Sequence, residues 1–129
     1  MRVRPATDAD LPTVMTILDG AMLEADAAAI REKCDTREAL VAESEGRILG
    51  ALVRTGQHID AVAVRRARRG QGIGRKLVDA AGEDVSRLTA EFDEKNRPFY
   101  EKLRFEIEEF DDERLRGTRE LPRSGCRKR

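Results

Sequence analysis

Aromatic and imidazole side chains are scarce in this sequence, which has one tyrosine, one histidine and no tryptophan among 129 residues. A histidine-rich metal centre or an aromatic cage cannot be built from so few of these side chains. The two cysteines, Cys34 and Cys126, are far apart, and Cys126 lies in a polar C-terminal stretch. We therefore expect neither a disulfide framework nor a zinc site.

The sequence also lacks long apolar runs and an excess of charge of either sign. No window approaches the ~20 apolar residues that span a bilayer, and the charged N-terminus is unlike a signal peptide. Charged residues make up 39% of the chain, yet the formal net charge is zero. We expect a soluble, cytoplasmic protein with no membrane partner. Because the net charge is zero, positive charge can form a local anion site but does not make the whole protein basic.

The patterns along the chain predict one domain over residues 1–120 and a basic, flexible tail over 121–129. Apolar spacing predicts helices over 8–19, 21–34, 72–85 and 97–103. Alternating patterns between short turns predict strands over 2–4, 39–44, 47–55, 57–64 and 87–92. Two charged segments, 106–110 and 114–121, could pair as a terminal hairpin. This order predicts an α/β fold of the α+β type, a mixed, largely antiparallel sheet flanked by helices on both faces.

Residues 65–76 combine six basic side chains with three glycines and contain no acidic residue. A strand, a glycine-rich turn and a helix present unpaired backbone N–H groups at the positive end of a helix dipole, and that arrangement binds phosphate. The stretch is not a Walker loop, because no hydroxyl residue follows Lys76, and it does not complete a dinucleotide GxGxxG motif. It fits the pattern [RQ]xxGx[GA]. A solvated basic turn and an RNA-binding patch are the alternatives, although an RNA patch would need interleaved aromatics.

This loop and its surroundings resemble the GNAT superfamily of N-acetyltransferases, which bind acyl-coenzyme A (acyl-CoA). RPATDADLPTVMTIL resembles the opening strand and helix of that family, RILGALV its central hairpin, and RPFYEKLRF its late motif, commonly FYEKLGF. The resemblance covers nearly the whole chain. It implies that acetyl-CoA, the acyl donor, binds along the strand at Val62, Ala63 and Val64 and at the loop residues Arg69, Gly70, Gln71, Gly72, Ile73, Gly74 and Arg75.

Tyr100 coincides with the tyrosine of the FYEKLGF motif. The resemblance implies that its phenol hydrogen-bonds or protonates the departing thiolate of CoA, and a phenol stays protonated near neutral pH. The alternative is an aromatic ring that only packs a short helix on the sheet. The family asparagine seven positions upstream is Asp93 here, so Asn96 becomes the candidate pantetheine contact. Arg104 replaces the motif glycine, which disfavours a left-handed backbone at that point.

His58 lies eleven positions before Arg69, where histone-acetylating relatives carry their catalytic glutamate. Its unperturbed pKa suits a general base, and Asp60 or a water relay is the alternative proton acceptor. Strand alternation predicts that His58 and Asp60 share one face with Val62 and Val64. An exposed histidine without a catalytic role is the other interpretation.

The resemblance therefore implies an enzyme, an acyltransferase that moves an acetyl group from acetyl-CoA to a primary amine by direct attack and needs no metal. The acceptor is a small molecule or a protein amine, and the sequence contains no recognisable specificity motif for it. Nucleic acid is not an expected partner, and the chain is expected to be a monomer or a homodimer. A non-catalytic CoA-binding regulatory module is the alternative function, and a basic RNA-binding domain is a third.

Overall fold

The computed structural model describes residues 1–20, 26–111 and 114–120. Seven strands lie within these ranges: β1 (Arg2–Pro5), β2 (Ala39–Ser44), β3 (Arg47–Thr55), β4 (His58–Val64), β5 (Arg87–Asp93), β6 (Glu106–Asp111) and β7 (Arg114–Glu120). The helices of the described residues are α1 (Leu11–Gly20), α2 (Ala27–Asp35), α3 (Ile73–Ala81) and α4 (Arg97–Lys102). Short 3-10 turns span Asp8–Asp10, Arg66–Arg68 and Glu94–Asn96.

The strands form one sheet in the order β1-β2-β3-β4-β5-β7-β6. Strands β4 and β5 pair in parallel, and the other neighbours pair antiparallel. The predicted fold class is therefore confirmed, including the three-strand meander and the terminal hairpin. Because β7 inserts next to β5, β6 becomes an edge strand.

Helices cover both faces of the sheet, as predicted. Helices α1 and α2 pack on β2, β3 and β4 from one side, which we call the α1/α2 face, and α3 packs on β1 to β4 from the other, the α3/α4 face. The core of the α3/α4 face also contains the aromatic residues of β5 and α4, Phe92 and Tyr100, together with Phe105. Each helix contributes a narrow apolar stripe to the core and leaves its remaining side exposed, as expected of a three-layer arrangement of helices, sheet and helices.

Two predicted helix boundaries are wrong. Helix α2 begins at Ala27, because Asp26 has an extended backbone (φ −105°, ψ 123°) and is its N-cap. Helix α3 ends at Ala81, where Gly82 follows and its N–H closes the last turn on Val78 and Asp79. Residues 21–25 of the predicted second helix and the predicted tail at 121–129, with Cys126, lie outside the described residues. No helix in the described part of the chain is long and apolar enough to cross a membrane.

The entry to α1 is held by a partly buried ionic network. Asp10 Oδ2 accepts hydrogen bonds from Arg4 Nη1 (2.8 Å), Thr7 N (2.8 Å) and Thr7 Oγ1 (3.1 Å). Arg4 Nε also donates to Glu43 Oε1 on β2 (2.7 Å). These bonds to Arg4 and Thr7 lower the pKa of Asp10 to about 2. The network ties the N-terminus of α1 to the edge strand β1 and to its neighbour β2.

Replacing Asp10 by asparagine should remove an acid-sensitive part of the stability. Because the folded pKa of about 2 lies below the unfolded value of 3.8, the contribution is present above pH 4 and is lost as the pH falls towards 2. The shift corresponds to roughly 2 kcal/mol. Urea unfolding at pH 6, 4 and 3 should show a smaller pH dependence in Asp10→Asn than in the unmodified chain. Asp8→Asn, an exposed position on the same turn, is the matched control, and equal pH dependence of all three proteins would contradict this assignment.

Candidate active site

Strands β4 and β5 pair over only two residues, His58 with Thr89 and Ile59 with Ala90. Beyond this point β4 continues to Val64 paired with β3 alone, and β5 continues to Asp93 paired with β7 alone. The sheet therefore has a gap between the C-terminal ends of two adjacent parallel strands. Ligands of open α/β sheets commonly bind outside the carboxyl ends of parallel strands, so this gap is the first candidate for a binding site.

The register shows which backbone groups face the gap. Arg65 N donates to Leu49 O on β3 (2.9 Å). Hydrogen bonding alternates along an antiparallel pair, so Ala61 and Ala63 bond to β3 as Arg65 does, and Val62 and Val64 point the other way. The N–H groups of Val62 and Val64 therefore face the gap, where β5 does not pair with them. These two donors belong to the residues expected from the sequence to contact the thioester.

The glycine loop lies at the end of β4 that borders this gap. Gly70 and Gly72 have left-handed backbones (φ 80° and 82°), and no atom lies within 4 Å of where a Cβ would be on either. The backbone N–H groups of residues 72–75 donate no hydrogen bond to the described chain. With the dipole of α3 behind them, these four amides are a set of donors of the kind that binds anions. The structure thus brings the predicted loop and the predicted strand donors to one end of β4.

The six basic side chains of residues 65–76 differ in their contacts. Arg65 Nε donates to Ile48 O on β3 (2.7 Å), so this arginine fastens the start of the loop to the sheet. Arg69 Nε donates to Val64 O (3.3 Å) and lies at the mouth of the gap. The remaining arginines and Lys76 are exposed and have no ion pair with a described residue, namely Arg66, Arg68, Arg75 and Lys76.

Two predicted loop residues also serve packing. The side chain of Ile73 is buried in the core, so only its backbone can meet a ligand. A Cβ on Gly74 would lie 2.9 Å from Phe99 Cε1 and 3.7 Å from Val64 Cγ2. Glycine at this position therefore allows the first turn of α3 to approach both α4 and the end of β4.

Tyr100 packs between α4 and β5. Its ring stacks on Phe92 with centroids 4.0 Å apart and meets the rings of Phe99 and Phe105 edge-on at 5.0 and 5.2 Å. Burial raises the pKa of Tyr100 to about 12, so the phenol keeps its proton at any working pH. Its hydroxyl has no hydrogen-bond partner among the described residues. The residue is thus both a core aromatic and an unused proton donor.

The predicted shared face of His58, Asp60, Val62 and Val64 is wrong. Arg54 pairs with Ile59 and Val53 pairs with Ala61, so Asp60 is an extra residue that forms a β-bulge. A bulge shifts the alternation by one residue. Val62 and Val64 pack on the α3/α4 face, whereas the bonded partners of the two polar residues lie on the opposite face.

His58 Nδ1 hydrogen-bonds Thr89 Oγ1 (2.8 Å). The alternation of β5, whose Leu88 and Ala90 enter the α3/α4 core, places Thr89 on the α1/α2 face. Asp60 Oδ2 accepts from Thr55 Oγ1 (2.5 Å), which in turn accepts from Lys33 Nζ of α2 (2.8 Å). His58 lies four positions from Val62, about 13 Å along the strand. At that separation His58 cannot contact a group bound at Val62 directly.

The structure also changes the interpretation of the two departures from the family motif. Arg104 does adopt the left-handed backbone (φ 68°) that its side chain was expected to disfavour. The turn is closed by Arg104 N donating to Glu101 O (3.0 Å) and Phe105 N to Tyr100 O (3.1 Å), so the end of α4 keeps its shape at a cost of about 1 kcal/mol. Asn96 is exposed at the N-cap of α4, and Asp93 accepts a hydrogen bond from Arg114 Nη1 (3.0 Å).

One cluster was missed from the sequence. A cavity of about 270 Å³ is lined by Arg75, Asp79, Lys102, Leu103, Arg104 and Arg119. Only Arg75 was a predicted site residue. Asp79 lies on α3 beyond the loop pattern, and the others come from the end of α4 and from β7, which no local pattern connects with α3. Across the described ranges, histidine, cysteine, aspartate and glutamate side chains form no group of three that could hold a metal ion.

A protein-family model described as an acetyltransferase (GNAT) domain matches residues 17–117. No curated protein matches the sequence. Several solved structures have the same fold at low identity. The Mycobacterium tuberculosis protein Rv2747, in complex with CoA, is 19% identical with a TM-score of 0.80, over 95% of this chain and 100% of that one.

Two further structures are similar over nearly their full lengths. A ribosomal-protein-alanine N-acetyltransferase from Brucella melitensis is 23% identical with a TM-score of 0.75, covering 94% of this chain and 100% of its own. The Salmonella typhimurium protein yncA, with its cofactor acetyl-CoA, is 18% identical with a TM-score of 0.73, covering 95% and 94%. At these identities the likeness establishes the fold.

Proposed function

The chain belongs to the GNAT acetyltransferase family, and from that membership we propose that it transfers an acetyl group from acetyl-CoA to a primary amine. The amine attacks the thioester directly, without an acetylated enzyme intermediate. Two proteins of this fold have been solved with CoA or acetyl-CoA, which supports the choice of donor.

The proposal rests on one observation. Two sets of backbone N–H groups without hydrogen-bond partners in the described chain lie together at the end of β4. The amides of residues 72–75 provide an anion site for the diphosphate of CoA. The amides of Val62 and Val64 face the gap left by β5, where the pantetheine arm can take the place of the missing strand. An acetyl-CoA bound in this way runs from the loop into the gap, with its thioester beside β4.

The reacting groups then have defined roles. The amine nitrogen forms a bond to the thioester carbon, and the backbone N–H of Val62 or Val64 stabilises the charge that develops on the carbonyl oxygen. When the C–S bond breaks, the phenol of Tyr100 donates a hydrogen bond or its proton to the thiolate. His58 or Asp60, acting through water, accepts the proton that the amine must lose.

Changing the loop should weaken the stabilisation of the protein by CoA. Free CoA at one hundred times its Kd adds about 2.7 kcal/mol to the stability of a protein that binds it only when folded. The double variant Arg69→Ala, Gly72→Ala removes one cation and places a side chain on a residue at φ 82° among the free amides. We expect at least a tenfold loss of affinity, measured as the CoA-dependent shift in Tm.

The matched control is Arg31→Ala with Gly56→Ala. It also removes an exposed arginine and a glycine of positive φ (59°), but Gly56 lies at the opposite end of β4. The control should keep the full CoA-dependent shift even if its own Tm is lower. An undiminished shift in the loop variant would refute the proposed donor site.

Turnover distinguishes an enzyme from a non-catalytic CoA-binding module. Acetyl-CoA is supplied with a panel of amines, and release of the free CoA thiol is followed. Thiol release that depends on one of the amines supports the transferase. Binding of CoA with no release across the panel would favour the regulatory module.

A further inference from the structure

The gap between β4 and β5 can be approached from either face of the sheet, and the proposed donor uses only one of them. The free amides at the start of α3 and the ring of Tyr100 lie on the α3/α4 face. Phe99 meets the Tyr100 ring edge-on and lies against Gly74 of α3, so α3 and α4 are in contact beside the gap. With the donor bound on this side, an amine that attacks the thioester has to arrive from the α1/α2 face.

Glu91 is the first residue of β5 beyond the short pairing with β4, which ends at Ile59 and Ala90. Both neighbours of Glu91 along the strand enter the core of the α3/α4 face, so strand alternation places Glu91 on the α1/α2 face. Val62 lies three positions beyond the last pair and Glu91 one position, so the two are about 7 Å apart along the strand direction. Glu91 is therefore about half as far from Val62 as His58 is.

The surroundings of Glu91 leave it accessible to an amine. The β4 residues that flank the gap on the α1/α2 face are Ala61 and Ala63, whose side chains are single methyl groups. Helices α1 and α2 pack on β2, β3 and β4, and the Glu91 side chain keeps 33% of its surface exposed. A group bound beside β4 on this face can therefore reach the glutamate across the gap.

Arg116 of β7 holds the Glu91 carboxylate in place. The two residues are directly opposite each other in the register of β5 and β7. Arg116 Nη2 donates to Glu91 Oε2 at 3.3 Å, and the other oxygen, Oε1, has no hydrogen-bond partner among the described residues. One oxygen is thus fixed and the other is available to accept a proton, as a positioned general base requires.

We propose that Glu91 accepts the proton of the attacking amine and that Arg116 is its positioning residue. The inference rests on the proposed function, because it assumes that acetyl transfer takes place in this gap. As the N–C bond forms, Glu91 Oε1 takes a proton from the nitrogen of the neutral amine. When the C–S bond breaks, its electron pair stays on sulfur and Tyr100 protonates the thiolate from the opposite face. Glu91 then releases its proton to water, and Tyr100 regains one from water.

The test measures thiol release by the whole chain with saturating acetyl-CoA and the amine of the panel that supports turnover. Glu91→Gln should lower kcat about a hundredfold, the usual contribution of a general base, and leave the CoA-dependent shift in Tm unchanged. Glu91→Asp should recover part of the rate. Added formate, a diffusible carboxylate, should accelerate Glu91→Ala. Arg116→Gln should lower kcat severalfold in the parent and cause no further loss in Glu91→Gln, since a positioning residue acts only through the group it holds.

The matched control is Glu120→Gln. It removes the carboxylate of the same kind of cross-strand pair, because Arg87 Nε of β5 donates to Glu120 Oε2 of β7 at 2.8 Å, but this pair lies at the other end of β5. Glu120→Gln should keep the parental kcat and gain nothing from formate.

The outcomes that would overturn the assignment are specific. Parental kcat in Glu91→Gln would do so, and so would equal losses in Glu91→Gln and Glu120→Gln. A large loss confined to Asp93→Asn would transfer the role to Asp93, the next acidic residue of β5 on the same face. A Glu91→Asp variant as slow as Glu91→Gln, with no effect of formate on Glu91→Ala, would also overturn it. Failure of the unmodified chain to release thiol with any amine would instead refute the proposed function.

Discussion

Tyr100→Phe is expected to lower kcat for acetyl transfer by about a hundredfold or more, the usual contribution of a positioned general acid. Phenylalanine fits this position, because the Tyr100 ring is stacked on Phe92 and is only 6% exposed. The Tyr100 hydroxyl has no hydrogen-bond partner among the described residues, so its removal leaves no other polar group without a partner. Stability and CoA affinity should therefore stay the same while turnover falls. Release of the CoA thiol, measured with saturating acetyl-CoA and amine, gives kcat.

A packing variant tests whether chemistry or shape is responsible. Phe105→Leu changes a ring that meets Tyr100 edge-on at 5.2 Å but leaves the phenol in place. This variant should lose stability and keep most of its kcat. If Tyr100→Phe turned over at the parental rate, or if the two variants lost activity equally, the phenol would not be the proton donor. Because the pKa of Tyr100 is about 12, a decline of activity between pH 8 and 10 should be the same in the parent and in Tyr100→Phe.

Leu77→Ala should cost about 2–5 kcal/mol of unfolding free energy, the range for deleting a large buried aliphatic side chain. Leu77 has no exposed surface and lies on Gly50 of β3, where a Cβ on the glycine would be 3.2 Å from Leu77 Cδ1. The leucine side chain therefore fills the space above Gly50, and truncating it to alanine leaves a cavity between α3 and β3. Such a loss is a large part of the ~5–15 kcal/mol that stabilises an ordinary domain.

Urea unfolding at neutral pH measures this effect. Lys76→Ala, an exposed neighbour on the same helix, should change the free energy of unfolding by less than about 0.5 kcal/mol. Since α3 carries the free amides of the loop, we also expect Leu77→Ala to weaken the CoA-dependent shift in Tm. Equal stability of the two variants would show that α3 is not anchored through Leu77.

The meander of β2, β3 and β4 could be predicted because its strands alternate and are joined by short turns at Glu45–Gly46 and Thr55–Gly56. The bulge at Asp60 could not be predicted, because the alternating pattern of HIDAVAV is not interrupted at that residue. Only the pairing of β4 with β3 shows that Asp60 is an extra residue. For this reason the predicted face of His58 and Asp60 was wrong although their strand was right. The catalytic assignments of Tyr100, His58 and Asp60 remain predictions.

The sequence by itself determined the order of the strands and helices along the chain and the residue types of the glycine loop. Both follow from residues that are neighbours along the chain, whose spacing, charge and backbone freedom can be read directly. Only the tertiary structure decided that β5 leaves β4 after Ile59, and that Arg75, Lys102, Arg104 and Arg119 surround one cavity. Those arrangements depend on packing between segments that are far apart in the chain, and local patterns contain no information about such contacts.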